Sequence, residues 1–194
     1  MNNKNSHRVN KIVTLSLLTS LALIIFSVEN MIPPIVPIQG VKLGLANVIT
    51  LFLILTADKK SALAVLIVRV LLAAIFAGQA ISLIYSLCGG LLALAVMCGV
   101  NILLEGRPVW FISTMGAVFH NIGQILAAAI LMSWKVVSYL PVLLLSGCIT
   151  GVLIGMLTDI TIRKMYKSGI LKHFKTIFET PHENKERNSQ SDDI

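Results

Sequence analysis

The chain has 194 residues, 56% hydrophobic and 13% charged, with a formal net charge of +7 and a mean hydropathy of +0.84. A soluble domain is about a quarter charged, so this composition excludes an ordinary soluble domain, a disordered protein, a nucleic-acid-binding domain and a disulfide-rich secreted module. What remains is a small polytopic membrane protein with short tails, its positive charge gathered beside the bilayer.

A helix needs ~20 mostly apolar residues to cross the hydrocarbon core. Six segments meet or approach that length: 12–32, 41–57, 61–78, 80–104, 109–133 and 137–160. They predict an all-α membrane protein, a six-transmembrane-helix bundle over residues 12–160. A tail of residues 1–11 precedes it, and a tail over 161–194 follows, first basic and then disordered. The first span follows Lys4, Arg8 and Lys11 and has no A-x-A-like site after it, so it reads as an uncleaved helix. Glu29 ends that span. Pro33, Pro34, Pro37 and Gly40 form a stiff first loop, and Asp58-Lys59-Lys60 makes a tight polar turn. Glu105-Gly106-Arg107-Pro108 is a second turn, with Pro108 placed to start a helix. Trp134-Lys135 ends the fifth span at an aromatic interface position. Cys88, Cys98 and Cys148 lie inside apolar runs without CxxC or metal-ligand spacing, and read as small packing residues.

Basic residues set the expected orientation. With a cytoplasmic N-terminus and six spans, 13 of the 16 Lys and Arg residues fall inside, Lys42 and Lys135 fall outside, and Arg69 is left within the membrane. Both termini are then cytoplasmic. From Arg163 to Lys175 basic residues alternate with apolar ones, which suits either a helix lying on anionic lipid or an ordinary positive stop after the last span.

Polar groups inside a bilayer are costly and tend to line cavities. In this topology Asn47, Arg69, His120, Asn121 and Gln124 lie between the midplane and the outer surface, with Lys42, Gln79, Ser82, Tyr85 and Ser86 near the outer ends of their spans. The inner half is nearly all apolar. The pattern describes a pocket open to the outside with a sealed floor. Arg69 needs a partner: Glu29, backbone carbonyls, or an anionic or carbonyl-rich ligand. His120 and Gln124 are one turn apart and share a face with Gly116 and Ala127; His120 reads as a bundle residue or a ligand contact, and Lys42 as a snorkelling lysine or a contact. Gly147, Gly151 and Gly155 form a GxxxGxxxG packing face in the sixth span. Ser16 and Ser20, extended by Ser27, give the first span a small-residue face for internal packing or for docking another membrane subunit.

No GxxxxGK[ST] loop, aspartate-rich diphosphate motif, nucleophilic-serine elbow or HExxH occurs, so binding or transport is expected rather than catalysis, without cofactor or metal. The blocks Gly40-Val41-Lys42-Leu43-Gly44-Leu45-Ala46-Asn47, Arg69-Val70-Leu71-Leu72, Ser86-Leu87-Cys88-Gly89-Gly90 and Gly116-Ala117-Val118-Phe119-His120-Asn121-Ile122-Gly123-Gln124 resemble a bacterial family. It is the Gx transporter family, whose older label is heptaprenyl diphosphate synthase component I, and the resemblance covers about residues 10–160. It implies a six-helix protein of the bacterial cytoplasmic membrane, similar to the substrate-binding S-components of energy-coupling factor transporters. Such a protein binds a small vitamin- or quinone-precursor-like molecule from outside and works with a membrane coupling subunit and two cytoplasmic ATPases. Arg69, His120, Asn121, Gln124, Asn47 and Lys42 would contact substrate, and Ser16 and Ser20 would belong to a docking face. The older label implies instead a non-catalytic subunit in making the isoprenoid side chain of menaquinone.

Overall fold

The computed structural model describes residues 3–31, 42–78, 80–103 and 108–178. These form α1 (Asn3–Met31), α2 (Asn47–Thr56), α3 (Lys59–Ala77), α4 (Ala80–Leu103), α5 (Val109–Leu131), a 3-10 turn (Trp134–Tyr139), α6 (Leu140–Lys167) and α7 (Ile170–Phe178). Among the described residues there is no strand. The Pro33–Pro37 loop, Gln79, the Glu105–Arg107 turn and the tail beyond Phe178 lie outside them.

Local chemistry explains the boundaries. Asp58 caps α3, its carboxylate accepting the Ser61 N–H at 2.6 Å, and Gly78 ends the helix in the left-handed conformation that only glycine adopts freely. Pro108 precedes α5 and a proline lies in the first turn of α6, where a missing N–H costs nothing.

Among the described residues four stretches are long and apolar enough to cross a membrane: Asn5–Met31, Ala80–Leu103, Val109–Leu131 and Trp134–Lys167. The remaining two expected spans differ. Helix α3 has the length but carries Lys59, Lys60 and Arg69. Helix α2 has 10 residues, about 15 Å, half of the hydrocarbon core. The expected span over 41–57 is therefore a loop over residues 42–46 followed by a half-length helix.

Helix α5 is the centre of the bundle. Of its apolar stretch 61% is buried, against 22% for α1 and 28% each for α4 and α6. Glycines let its neighbours approach. A Cβ at Gly151 of α6 would lie 2.6 Å from the Cα of Thr114, and one at Gly155 would overlap the Cα of Trp110. On the other side, a Cβ at Gly123 would lie 2.9 Å from both the Cys88 carbonyl and the Cα of Gly89 on α4. The sixth-span glycines thus pack inward on α5. Ser16 and Ser20 instead lie exposed on α1, on a surface that also bears Leu17 and Ile24. Cys88 and Cys148 are exposed too, so of the three cysteines only Cys98 is partly buried; thiols at these positions face out of the bundle rather than fill it.

The chain runs up and down, which gives the bundle two ends. At one, Lys11 of α1 pairs with Asp58 at 2.9 Å. At this end α7 folds back beneath the short α2. Phe174 meets Phe52 edge-on at 5.4 Å and Phe178 at 4.9 Å, Lys11 Nζ is 5.2 Å from the Phe178 ring, and His7 Nε2–H donates to the Thr176 carbonyl at 2.8 Å. The apolar side of this basic extension therefore faces α1 and α2 rather than lipid, while Lys172, His173 and Lys175 remain exposed. The opposite end, where Glu29, Lys42 and Asn47 converge, holds the polar cluster.

Candidate functional site

Glu29, near the end of α1, organises the cluster. Its Oε1 accepts the Gly44 N–H at 2.6 Å and its Oε2 the Leu45 N–H at 3.1 Å, so one buried carboxylate satisfies two amides of the loop entering α2. Gly44 has φ +80, and a Cβ there would lie 2.8 Å from His120 Cδ2 and 2.9 Å from Asn47 Nδ2. Glycine is needed twice, for the backbone angle and for the close approach. It is what presses the loop onto α5.

The loop is tied to α5 by a directed chain of hydrogen bonds. The Lys42 N–H donates to Gln124 Oε1 at 3.2 Å, and Gln124 Nε2 lies 3.0 Å from His120 Nε2. Because the amide oxygen is occupied by Lys42, the amide nitrogen must be the donor to His120. His120 Nε2 is then an acceptor, and the ring is neutral with its proton on Nδ1. That Nδ1 is turned toward the Gly89 backbone, just outside hydrogen-bond geometry. Lys42 Nζ sits 3.6 Å above the Phe26 ring, a cation–π contact that keeps its ammonium partly desolvated.

Arg69 enters from the middle of α3. It is 5% exposed, its Nε is buried without a partner, and it makes no hydrogen bond or ion pair among the described residues. Glu29 is within electrostatic reach, as are Lys42 and His120. The Glu29 oxygens, however, are already engaged by backbone amides. Asn47 Oδ1 at the start of α2, the Tyr85 hydroxyl on α4, and His120 Nδ1 and Asn121 Oδ1 on α5 are further buried atoms without a partner.

Five of the six residues expected to contact substrate are therefore gathered here: Lys42, Asn47, Arg69, His120 and Gln124. Asn121 is not. Its Nδ2 donates to the Leu143 carbonyl of α6 at 2.6 Å and lies against Gly147. A helix turns by about 100° per residue, which carries Asn121 off the face that His120 and Gln124 share. The sequence reading missed the loop-holding role of Glu29 and the steric roles of Gly44 and Gly89. The glycines within the quoted blocks were the available signal.

The chain matches the family model described as heptaprenyl diphosphate synthase component I over residues 18–161. It belongs to that family. No curated protein and no solved structure matches the chain. The matched segment runs from the middle of α1 into α6 and contains the whole cluster. A heptaprenyl diphosphate synthase component is, by its description, part of an enzyme, yet the only acids in the segment are Glu29, Asp58, Glu105 and Asp159. Asp58 pairs with Lys11, Asp159 with Arg163 at 2.8 Å, and Glu29 holds the loop. Among the described residues no group of carboxylates is placed to hold a metal–diphosphate complex.

Proposed function

We propose that this component I protein is a substrate-binding membrane subunit of a partner-dependent uptake system of the energy-coupling factor kind. One observation carries the reading: a buried arginine, mid-helix in an apolar bundle, has its Nε unsatisfied and makes no hydrogen bond or ion pair among the described residues, beside other convergent polar groups. Native chains do not keep an unpaired guanidinium at such depth for stability, since it costs at least ~2.5–3.5 kcal/mol there. It is retained for something that arrives. Arg69, Lys42, Asn47, His120 and Gln124 would contact the ligand, with Asn121 assigned to helix packing. The asymmetry of basic residues puts both termini in the cytoplasm and the cluster in the outer half of a bacterial cytoplasmic membrane. The chain lacks any phosphate-binding loop, so energy would come from two ATPases through a membrane coupling subunit, with the exposed Ser16 and Ser20 face of α1 as its docking surface.

Mass spectrometry of the small molecule released from protein purified in mild detergent tests the binding claim. A molecule present in the wild type and absent from Arg69→Met is the expected result; extracts identical between the two sink it. Co-purification with a coupling module tests the partner. Transport by the isolated chain in liposomes contradicts partner dependence.

The family description favours a second reading, a non-catalytic membrane subunit in heptaprenyl diphosphate synthesis. Under it, adding this chain to the catalytic subunit changes rate or product length. An unchanged reaction removes it.

A further inference from the structure

We infer that the cluster takes a ligand with a single negative charge, a carboxylate rather than a diphosphate. The inference rests on reading the cluster as a binding site and follows from its charge balance. Three charged side chains lie within electrostatic reach of one another there: Lys42, Arg69 and Glu29, whose two oxygens each accept a backbone N–H as a carboxylate does. Residues 32–41 and Gln79, the stretches flanking it that lie outside the described residues, contain no ionisable side chain in the sequence. Lys135 is exposed on the 3-10 turn. His120 is neutral, because its Nε2 accepts from Gln124. The cluster therefore carries a net charge of +1.

In a low-dielectric site a uniform balance matters, since each uncompensated charge is strongly unfavourable. One anionic group brings the cluster to neutrality. A diphosphate, with at least two negative charges, leaves a surplus that no further cation in reach can meet, and among the described residues no group of acids could hold a compensating metal. Geometry agrees with charge. The planar guanidinium fork suits a carboxylate, which it can bind with two parallel hydrogen bonds. Asn47 Oδ1 is a buried acceptor without a partner, so the ligand also presents an N–H or O–H donor beside its acid group. Lys42 is held over Phe26 and the Glu29 oxygens over the loop amides, which leaves Arg69 as the group free to receive the charge.

The test uses the full-length chain purified in mild detergent and stripped of bound small molecules. Thermal melting is followed by tryptophan fluorescence with four probes: benzoate, and one isoprenoid body bearing three heads, namely farnesol, farnesoic acid and farnesyl diphosphate. The expected result is stabilisation by benzoate and farnesoic acid but not by farnesol or the diphosphate. Arg69→Met abolishes it, with a loss of apparent affinity of ~100-fold, the worth of a two-bond charged contact. Stabilisation by the diphosphate that exceeds the carboxylate and depends on Arg69 overturns the monoanion while leaving the binding site in place. Stabilisation by farnesol that survives Arg69→Met also overturns it. If no probe stabilises the wild type, the monoanion class falls. The binding-site reading is then judged separately, by whether stripped Arg69→Met melts above or below the stripped wild type.

Discussion

Replacing Arg69 by methionine separates a ligand-receiving arginine from a structural one, because the two roles give opposite signs. Methionine keeps the unbranched stem and is a good helix former, so α3 itself is undisturbed. Arg69 lies near the centre of α3 (Lys59–Ala77), too far from either end for the guanidinium to snorkel out. Its burial costs ~2.5–3.5 kcal/mol on insertion scales. Against this stands the attraction of Glu29, which lies outside ion-pair contact with it; taking a separation of ~8 Å as a working value, unit charges at an effective dielectric of ~20 attract by ~2 kcal/mol. The difference leaves the ligand-free wild type ~1 kcal/mol less stable than the variant.

For a chain of this size ~1 kcal/mol corresponds to ~2–4 °C in melting temperature. Stripped Arg69→Met should therefore melt ~2–4 °C above stripped wild type in the same detergent, while losing whatever stabilisation the ligand gives. Had Arg69 served as one half of a buried ion pair, removing it would strand Glu29 and cost ~3–5 kcal/mol. A variant that melts ~6 °C or more below wild type refutes the reasoning.

Gly151→Leu places side-chain carbon 2.6 Å from the Thr114 backbone, so it should lose ~3 kcal/mol and yield less monodisperse protein on size exclusion; Gly99→Ala, with nothing within 4 Å, should gain ~0.5 kcal/mol. Asp58 is partly buried, which pushes its carboxyl up, but hydrogen bonds from Lys11 and Ser61 prevail and hold it below the ordinary carboxylate range. A depressed folded-state value means the stabilisation is present at neutral pH and is lost as pH falls through that value. Asp58→Ala should cost ~1 kcal/mol at pH 7 through the lost helix cap, and the gap between the two melting curves should close below about pH 4; a gap that persists in acid contradicts this. Phe174→Ser removes the aromatic contact with Phe52 and, for a half-buried ring, should cost ~2 kcal/mol and speed proteolysis within residues 168–178. Cleavage at the wild-type rate would mean that α7 is not held by that ring.

The sequence made the helical class and several boundaries legible because apolar length is a direct consequence of membrane thickness. The expected spans 80–104 and 109–133 became Ala80–Leu103 and Val109–Leu131. It misled at 41–57, where Val41, Leu43 and Leu45 look like helix. A hydropathy pattern counts side chains, and it cannot see that the Glu29 carboxylate satisfies the amides of Gly44 and Leu45 from another helix. The polar cluster was legible as a set of depths, since antiparallel spans bring residues of like depth together. Depth alone does not separate Asn121 from His120; the helical turn between them, which directs the Asn121 amide to the Leu143 carbonyl, does. For α7, amphipathicity was plain but its partner was not. An apolar stripe says that something covers it, and whether that is lipid or Phe52 depends on α2 being too short to fill its own space.

The two sides of the bundle are held by different means, and the cluster lies where they meet. Helices α4, α5 and α6 touch backbone to backbone through Gly89, Gly123, Gly151 and Gly155, where an added carbon meets main-chain atoms with no room to yield. Such contacts are rigid because nothing in them can change rotamer. Helices α1, α2 and α3 are joined instead by side chains, by the Glu29-bound loop and by the aromatic contacts of α7, all of which can rearrange without breaking a helix. Gly90 illustrates the difference, its close neighbour being the flexible end of Leu66. Glu29, Lys42, Asn47 and Arg69 belong to the compliant side, His120 and Gln124 to the rigid one. A ligand that engages Arg69 while touching α5 binds best when the two sides are closed, and a ligand shifts an equilibrium only by such a difference in affinity. An arginine that makes no hydrogen bond or ion pair among the described residues keeps that difference large. Methionine at the same position would make the bundle firmer and unresponsive, which is the physical reason for expecting a gain in stability and a loss of function from one substitution.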